Sequence, residues 1–242
     1  MTSTALLTDQ YELTMLSAAL RAGTTDRSCV FEVFARRLPD GRRYGVVAGT
    51  GRVLDALEKF RFGEEELASL RPILDADTLD WLAEYRFNGQ IDGYREGELY
   101  FPGSPILTVR GGFAEGVILE TLILSILNHD SAVASAAARM VNAAAGRPVI
   151  EMGGRRTHEQ AAVASARAAY LAGVDHTSNL EAARTYGVPS AGTAAHAFTL
   201  SFANADGSDE RAAFAAQVAA LGVGTTLLVD TYDITTGVQN AI

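Results

Sequence analysis

The pattern of apolar residues changes at residues 148–173, which read PVIEMGGRRTHEQAAVASARAAYLAG. A short apolar run at 148–152 precedes a turn with two glycines and two arginines, and an alanine-rich helical pattern follows around 159–172. Further apolar runs at 188–191 and 226–229 repeat this order, the first of them before a segment at 196–202. Strands that alternate with helices are typical of parallel sheets with crossovers. This part of the chain is therefore predicted to be α/β.

The sequence before residue 112 has a different pattern. Leu13, Leu16 and Leu20 recur at helical spacing and predict an opening helix, capped by Thr8 or Asp9 and followed by Gly23. Further helices are predicted at 49–60, within 63–85, at 114–127 and at 131–145. Short strands are predicted at 30–34, 44–47, 99–101 and 106–109. We expect an α+β domain over 1–112 and an α/β domain over 113–242.

Composition limits the classes of function. The chain has 242 residues, 48% of them hydrophobic and 20% charged, which is typical of a folded protein. Its 29 acidic and 20 basic side chains leave a net charge of −9, so a nucleic acid is not an expected partner. A few arginines can still bind a small anion locally. Four histidines and one cysteine form no HExxH or CxxC pattern, so no protein-held metal is expected.

Cellular location is also an expectation from the sequence. The chain opens without a basic segment followed by an apolar one, and no uninterrupted apolar stretch approaches the ~18 residues of a membrane span. The single cysteine, Cys29, lies in an alternating apolar run, which favours a buried, inert thiol over a nucleophile. We expect a cytoplasmic protein with no membrane contact.

The turn at 153–156 is the first candidate site. Gly153 and Gly154 permit a ligand to approach the backbone closely, and Arg155 and Arg156 offer planar donors for a carboxylate or phosphate. The alternative is an ordinary strand-to-helix turn with solvated arginines. Neither the phosphate-binding loop of NTPases nor the GxGxxG fingerprint occurs in the sequence.

Three further positions carry chemistry of interest. His196 follows a run of small residues after a predicted strand, and a histidine there could act as a base or as a nucleophile toward phosphorus. Tyr11 lies on the opening helix and could stack on a flat ligand. Arg37 ends the run 31–37 and could contact a phosphate. For each, a structural or solvated role is the alternative.

Taken together and in order, the motifs resemble those of the nicotinate phosphoribosyltransferase family. The resemblance rests on the segments at 7–15, 31–37, 119–121, 151–156, 192–196 and 228–233. It implies a type II phosphoribosyltransferase, with an irregular α/β barrel beside an α+β open-faced sandwich domain. Chains of that family continue well beyond the segment at 228–233, so the 242 residues correspond to an N-terminal part with an incomplete barrel.

The resemblance also implies an activity. The family joins nicotinate to 5-phosphoribosyl 1-pyrophosphate, giving nicotinate mononucleotide and pyrophosphate for NAD salvage, and couples this step to ATP hydrolysis through a phosphohistidine. It implies a homodimer with active sites at the subunit interface, and Mg²⁺ as cofactor. Alternatives are a relative that uses nicotinamide or quinolinate, or a non-catalytic binding module.

Site roles follow from the same resemblance. His196 corresponds to the phosphate-accepting histidine, with Gly192 and Thr193 in the pocket wall. Tyr11 would stack on the nicotinate ring in the partner subunit's site, with Met152 and Gly153 on the other face. Arg155 would bind the nicotinate carboxylate or the ribosyl phosphates. Arg37 and Arg156 would contact phosphate.

Overall fold

The structure is a computed structural model that describes residues 3–204 and 207–242. It is a mixed α/β structure with two compact units, Met1–Pro189 and Ser190–Ile242. The domain boundary expected near residue 112 stays a prediction.

The opening helix of the first unit forms as predicted. Helix α1 spans Gln10–Ala22, with Asp9 at the N-cap and Gly23 in the left-handed conformation at φ 65°. Glycine adopts this conformation without the steric cost of a Cβ, which is why it so often ends a helix. The helix buries Leu13 and Leu16 against the rest of the unit.

Antiparallel strands make up the sheets that follow. They are β1 (Ser28–Phe34), β2 (Gly45–Val46), β3 (Gln90–Gly93), β4 (Leu99–Tyr100) and β5 (Pro105–Gly112). One sheet has the order β1-β5-β3, and β2 pairs with β4 in a second. The prediction missed β3, which is only four residues long and has glycines at its edge and end. Cys29, expected to be buried, lies half-buried on β1.

Five helices pack with these strands. They are α2 (Thr50–Glu58), α3 (Glu64–Leu70), α4 (Ala76–Glu84), α5 (Phe113–Val117) and α6 (Glu120–Ala144). The prediction of separate helices at 114–127 and 131–145 places the break wrongly: the chain leaves the helix at 118–119, between α5 and α6, and α6 then runs unbroken from Glu120 to Ala144. Position 130, expected between two helices, lies inside α6, where the side chain of Asp130 is fully buried and paired with Arg52.

A large apolar cluster, which we call the sheet core, lies among α1, the sheet, the short helices and the first half of α6. Its largest fully buried side chains include Phe60, Leu82 and Ile118. Phe60 meets Tyr85 edge to face, with ring centroids 5.8 Å apart, a favourable geometry for aromatic pairs. Burial of Tyr85, together with the nearby charge of Glu115, raises the pKa of its phenol. The sheet core therefore excludes water and favours neutral groups.

Parallel strand pairing begins in the stretch 148–173, where the pattern of apolar residues changes. Strand β6 (Ile150–Glu151) pairs in parallel with β7 (His176–Thr177), and α7 (Glu159–Leu171) connects them. Helix α8 (Leu180–Tyr186) follows. This arrangement confirms the predicted strand and helix around 148–172. Among the described residues, β6 and β7 are the one parallel pair, and no closed barrel is formed.

The second half of α6 packs against α7 in what we call the α6–α7 seam. It comprises the buried alanines Ala134, Ala137, Ala168 and Ala169 and the ion pairs Arg52–Asp130 and Glu96–Arg167. Small side chains allow two helices to approach closely. Burial acts to raise the pKa of Glu96, but the two hydrogen bonds from Arg167 and the Gly49 N–H outweigh it and lower that pKa.

Helix length alone would permit a membrane span at Phe113–Ala144, where the mean hydropathy of an 18-residue window reaches 1.4. In the structure 56% of that window is buried inside the fold. The segment supplies both the sheet core and the α6–α7 seam. It therefore serves as the central helix of the first unit.

The second unit is mainly helical. It contains α9 (His196–Leu200), the hairpin β8 (Ala203–Asn204) and β9 (Gly207–Ser208), α10 (Glu210–Leu221) and α11 (Ile234–Ala241). The strands predicted at 188–191 and 226–229 do not form, apart from an isolated bridge at Ser190. A strand needs a ladder of hydrogen bonds with a neighbour. The run at 188–191 makes one backbone bond, from the Thr177 N–H of β7 to the Pro189 carbonyl at 2.9 Å, and among the described residues neither run is part of a sheet.

Candidate functional site

The turn after β6 presents its cations to solvent. Residues Gly153–Arg155 form a single 3-10 turn, closed by a 2.8 Å hydrogen bond from the Arg156 N–H to the Gly153 carbonyl. Arg155 and Arg156 are both exposed, and neither guanidinium has an ion pair or side-chain hydrogen bond among the described residues. Met152, just before the turn, is 55% exposed. Two uncommitted guanidiniums beside an apolar side chain suit a ligand that is anionic and partly flat.

Gly153 has a close neighbour, whereas Gly154 does not. A Cβ at position 153 would lie 2.7 Å from the Glu151 Oε1, and a Cβ at 154 would have open space around it. The Gly153 N–H donates to that same oxygen at 2.5 Å. A carboxylate of the chain itself thus approaches this backbone closely, and the predicted approach of a ligand stays a prediction.

The hydroxyl of Tyr11 is hydrogen-bonded, and the side chain is partly exposed to solvent. It lies in the first turn of α1, is 46% exposed and donates a 3.3 Å hydrogen bond from its hydroxyl to Glu120. Partial desolvation and the charges of Glu120 and Glu12 raise the pKa of Tyr11, which keeps the phenol neutral. A neutral, anchored and half-exposed ring is suited to stacking on a flat ligand.

Arg37 lies on the loop between β1 and β2. With Arg36 and Arg42 it lines a cavity of about 500 Å³ against α6. The lining contains no acidic side chain, so positive charge accumulates locally in a chain of net charge −9. Such a pocket favours an anionic ligand.

In the second unit, His196 begins α9 and is half exposed. Its Nδ1 lies 3.2 Å from the Thr231 hydroxyl, and its Nε2 lies 3.9 Å from an Asp230 carboxylate oxygen. A carboxylate beside an imidazole stabilises a positive charge that develops on the ring. Gly192 and Thr193 precede it in an exposed, extended segment.

Asp230 and Thr231 are functional candidates to which the sequence patterns gave no individual role. Both belong to the motif at 228–233, which follows a predicted strand. Like His196, they follow an apolar run, and this position at a predicted strand end could have indicated a functional role. The structure brings them to His196 within one unit. The roles predicted for Tyr11, Arg37, Met152, Gly153, Arg155, Arg156, Gly192, Thr193 and His196 stay predictions.

Metal ligands are not grouped in residues 3–204 and 207–242: no three His, Cys, Asp or Glu side chains come together as a candidate site. These residues do not by themselves fit a protein-held Mg²⁺. Octahedral Mg²⁺ is usually held by one or two carboxylates together with substrate phosphates and water.

Fold and site together define a class of protein, a mixed α/β protein with exposed arginines after the ends of two strands. Comparison with known proteins makes the class specific. Residues 6–128 match the family model described as the nicotinate phosphoribosyltransferase (NAPRTase) N-terminal domain. The chain therefore belongs to the nicotinate phosphoribosyltransferase family.

Relatives match over almost the whole chain. Nicotinate phosphoribosyltransferase pncB1 of Mycobacterium tuberculosis is 68% identical over 240 residues, which are 98% of this chain and 54% of the relative. Nicotinate phosphoribosyltransferase of Bacillus subtilis is 35% identical over 244 residues, covering 99% of this chain and 49% of the relative. The chain thus spans about half the length of the curated relatives it matches.

Solved structures agree with the fold. The crystal structure of human nicotinic acid phosphoribosyltransferase superposes with a TM-score of 0.83 at 30% identity, over 94% of this chain and 55% of the human chain. Nicotinate-nucleotide pyrophosphorylase from Pyrococcus furiosus gives a TM-score of 0.67 at 21% identity, over 98% of this chain and 61% of that chain, a likeness of fold alone.

Proposed function

We propose that this chain is the N-terminal part of an enzyme that joins nicotinate to 5-phosphoribosyl 1-pyrophosphate, giving nicotinate mononucleotide and pyrophosphate for NAD salvage. The observation that carries the proposal is the 68% identity to a nicotinate phosphoribosyltransferase over 98% of the chain. That span includes both the turn at 153–156 and the segment around His196.

The proposed architecture is an irregular α/β barrel, incomplete here, beside an α+β open-faced sandwich. The parallel pair of β6 and β7 would be the start of the barrel, and the sheet β1-β5-β3 part of the sandwich. The proposed assembly is a cytoplasmic homodimer in which Tyr11 serves the partner subunit's site. The half-exposed ring of Tyr11 is consistent with that use.

Each proposed role has a physical basis. Tyr11 and Met152 would cover the two faces of the nicotinate ring, since both expose apolar surface. Arg155 would bind the nicotinate carboxylate or the ribosyl phosphates, with Arg37 and Arg156 on phosphate oxygens. The ring nitrogen then attacks the ribose C1 as the bond to pyrophosphate breaks. Fixed positive charge stabilises the departing pyrophosphate.

His196 would couple this reaction to ATP. An imidazole nitrogen attacks the γ-phosphorus of ATP and ADP leaves, and water later releases inorganic phosphate from the histidine. Asp230 would stabilise the charged imidazole, and Thr231 would hold its orientation. Gly192 and Thr193 would contribute backbone to the pocket. Mg²⁺ enters this proposal only as the counter-ion of the substrate phosphates.

The deciding experiment incubates the 242-residue chain with nicotinate, the ribosyl donor, ATP and Mg²⁺, and quantifies nicotinate mononucleotide, pyrophosphate and ADP. Formation of all three supports the proposal. A preference for nicotinamide or quinolinate in competition would assign the chain to a relative with that substrate. Nicotinate binding without product would support the non-catalytic alternative for this chain.

His196→Ala tests the coupling. We expect ADP release to stop while folding is unchanged, because the side chain is half exposed. The readouts are nucleotide chromatography and the circular dichroism melting curve. His158→Ala, which removes another exposed histidine, should retain ADP release. Full ATP-coupled turnover in His196→Ala would exclude His196 as the phosphate acceptor.

A further inference from the structure

One carboxylate connects the turn at 153–156 to a buried part of the fold. The Glu151 Oε1 accepts the Gly153 N–H at 2.5 Å, and its Oε2 accepts the Thr177 hydroxyl at 2.8 Å. The same hydroxyl oxygen accepts the Asn179 N–H at 3.0 Å. Thr177 is completely buried at the end of β7. A continuous series of hydrogen bonds thus runs from the start of α8 to the backbone of the turn.

Few hydrogen bonds hold the turn, which also contacts α7. It is three residues long, and a single backbone bond closes it. Gly154 has no neighbour within 4 Å of the place where a Cβ would stand. Within the described residues, Glu151 makes the one side-chain hydrogen bond to the backbone of Gly153–Arg155. Because glycines leave a backbone many accessible conformations, the carboxylate determines which of them this turn adopts.

Glu151 is not suited to bind the ligand itself. Its negative charge would repel a carboxylate or phosphate, and each of its oxygens already accepts a hydrogen bond within the protein. Those two donors also reduce the cost of placing a carboxylate near an anion. Its chemistry therefore suits orienting the turn rather than contacting a substrate.

We propose that Glu151, held by Thr177, is a positioning residue that sets how Met152, Gly153 and Arg155 face the nicotinate and the ribosyl phosphates. This inference rests on the proposed function. Removal of the Thr177 hydroxyl leaves the Glu151 carboxylate free to rotate. The Gly153 N–H then loses its fixed acceptor, and the guanidinium of Arg155 loses its direction.

The test compares Thr177→Val, which keeps the shape and removes the hydroxyl, with Thr177→Ser, which keeps the hydroxyl. The first readout is amide hydrogen exchange at Gly153 by NMR, which needs no substrate. We expect Thr177→Val to accelerate this exchange about tenfold, the effect of losing one hydrogen bond to a charged group. Thr177→Ser should stay within about twofold of wild type.

The second readout is nicotinate affinity by calorimetry in the presence of the ribosyl donor. We expect Thr177→Val to weaken binding about tenfold, with recovery in Thr177→Ser. The matched control is Thr185→Val, which removes an exposed 2.9 Å threonine-to-glutamate hydrogen bond on α8. This control should change neither the Gly153 exchange nor the affinity.

The outcomes separate the two proposals. Unchanged Gly153 exchange in Thr177→Val overturns the positioning role, and so does faster exchange with wild-type nicotinate affinity. Absence of nicotinate binding in the wild type counts against the proposed function, while the Gly153 exchange still decides whether Glu151 fixes the turn. If Thr177→Val unfolds, Glu151→Gln serves instead, because one amide oxygen replaces two carboxylate acceptors. Its Gly153 exchange should be faster than that of wild type.

Discussion

The sheet core and the α6–α7 seam are packed in different ways although α6 belongs to both. The sheet core is filled by large side chains such as Phe60 and Leu82. The seam is filled by alanines and by ion pairs, with Asp130 fully buried. Serines of α6 complete it: Ser135 accepts the Val46 N–H, and Ser131 accepts the Ala48 N–H, both in or beside β2.

The two regions should differ in the substitutions that they tolerate. Truncation in an apolar core removes buried area and leaves a cavity, at a cost that depends on how far the neighbours relax. Removal of one ion from a buried pair leaves the other charge without compensation. The sheet core should therefore tolerate conservative apolar exchanges, whereas the seam should tolerate neither a lost charge nor an added methyl group.

The largest expected effect is that of Asp130→Ala. It leaves Arg52 without its carboxylate in a partly buried site, and loss of one partner of a buried pair costs about 3–5 kcal/mol. Urea denaturation followed by circular dichroism measures the loss. Glu181→Ala, which breaks an exposed pair with Arg184, should leave the midpoint unchanged. Equal effects of the two substitutions would remove the distinction between the seam and the surface.

Leu82→Ala tests the sheet core in the same assay. Leu82 is fully buried, and truncation of such a leucine lowers the free energy of unfolding by about 3 kcal/mol. Leu180→Ala is the control, since Leu180 is 74% exposed and should change stability by less than about 0.5 kcal/mol. A small effect at Leu82 would mean that the core is loosely packed there.

Ala168→Leu tests the close packing of the seam. Ala168 is completely buried between α6 and α7, and extra carbons in such a place cost about 1–3 kcal/mol. The same change at Ala132, an exposed position of α6, should be nearly neutral. Stabilisation by Ala168→Leu would reveal a void in the seam.

The smallest effect concerns the carboxyl group packed beside the sheet core. Glu12 is completely buried and accepts hydrogen bonds from Thr121, and its Oε2 has no partner among residues 3–204 and 207–242. Burial is the main reason that the pKa of Glu12 is raised above 4.5. A carboxyl group whose pKa is raised by folding is favoured in its neutral form, so its ionisation destabilises the fold as pH rises through that pKa.

Glu12→Gln should therefore remove a loss of stability that wild type shows as pH rises from the ordinary carboxyl pKa of 4.5 through the raised pKa of the folded state. Thermal unfolding at several pH values measures the difference between the two midpoints, which should grow with pH. The exposed Glu65→Gln on α3 should follow wild type throughout. A constant difference between Glu12→Gln and wild type would show that Glu12 does not titrate in this range.

Local sequence was sufficient to predict the elements that bury one face. Helix α1 and strand β1 carry their apolar residues at periods of 3.6 and 2, and both form where predicted. The runs at 188–191 and 226–229 look similar but form no strands, because a strand needs a ladder of hydrogen bonds with a neighbour and the first run makes a single bond to β7, from Thr177 to Pro189. Helix α6 runs through position 130, where Asp130 pairs with Arg52, 78 residues away, a contact that local patterns do not contain.

The candidate site was predictable in kind rather than in geometry. Glycines and arginines directly after a strand predicted an exposed turn, and Arg155 and Arg156 are exposed there, while anion binding by this turn stays a prediction. The contact of Glu151 with Thr177, 26 residues apart, required the pairing of β6 with β7. The approach of Asp230 to His196 likewise required the fold of the second unit.

Helix α6 has a practical consequence for dividing this chain. At 25 residues and 1.5 Å per residue it is about 37 Å long. Its Leu127 belongs to the sheet core and its Ala134 to the seam. A chain break between these two residues would interrupt one continuous helix. It would leave the sheet core on the N-terminal side and would separate Glu96 of the seam from its partner Arg167. Sites for such a break belong outside α6.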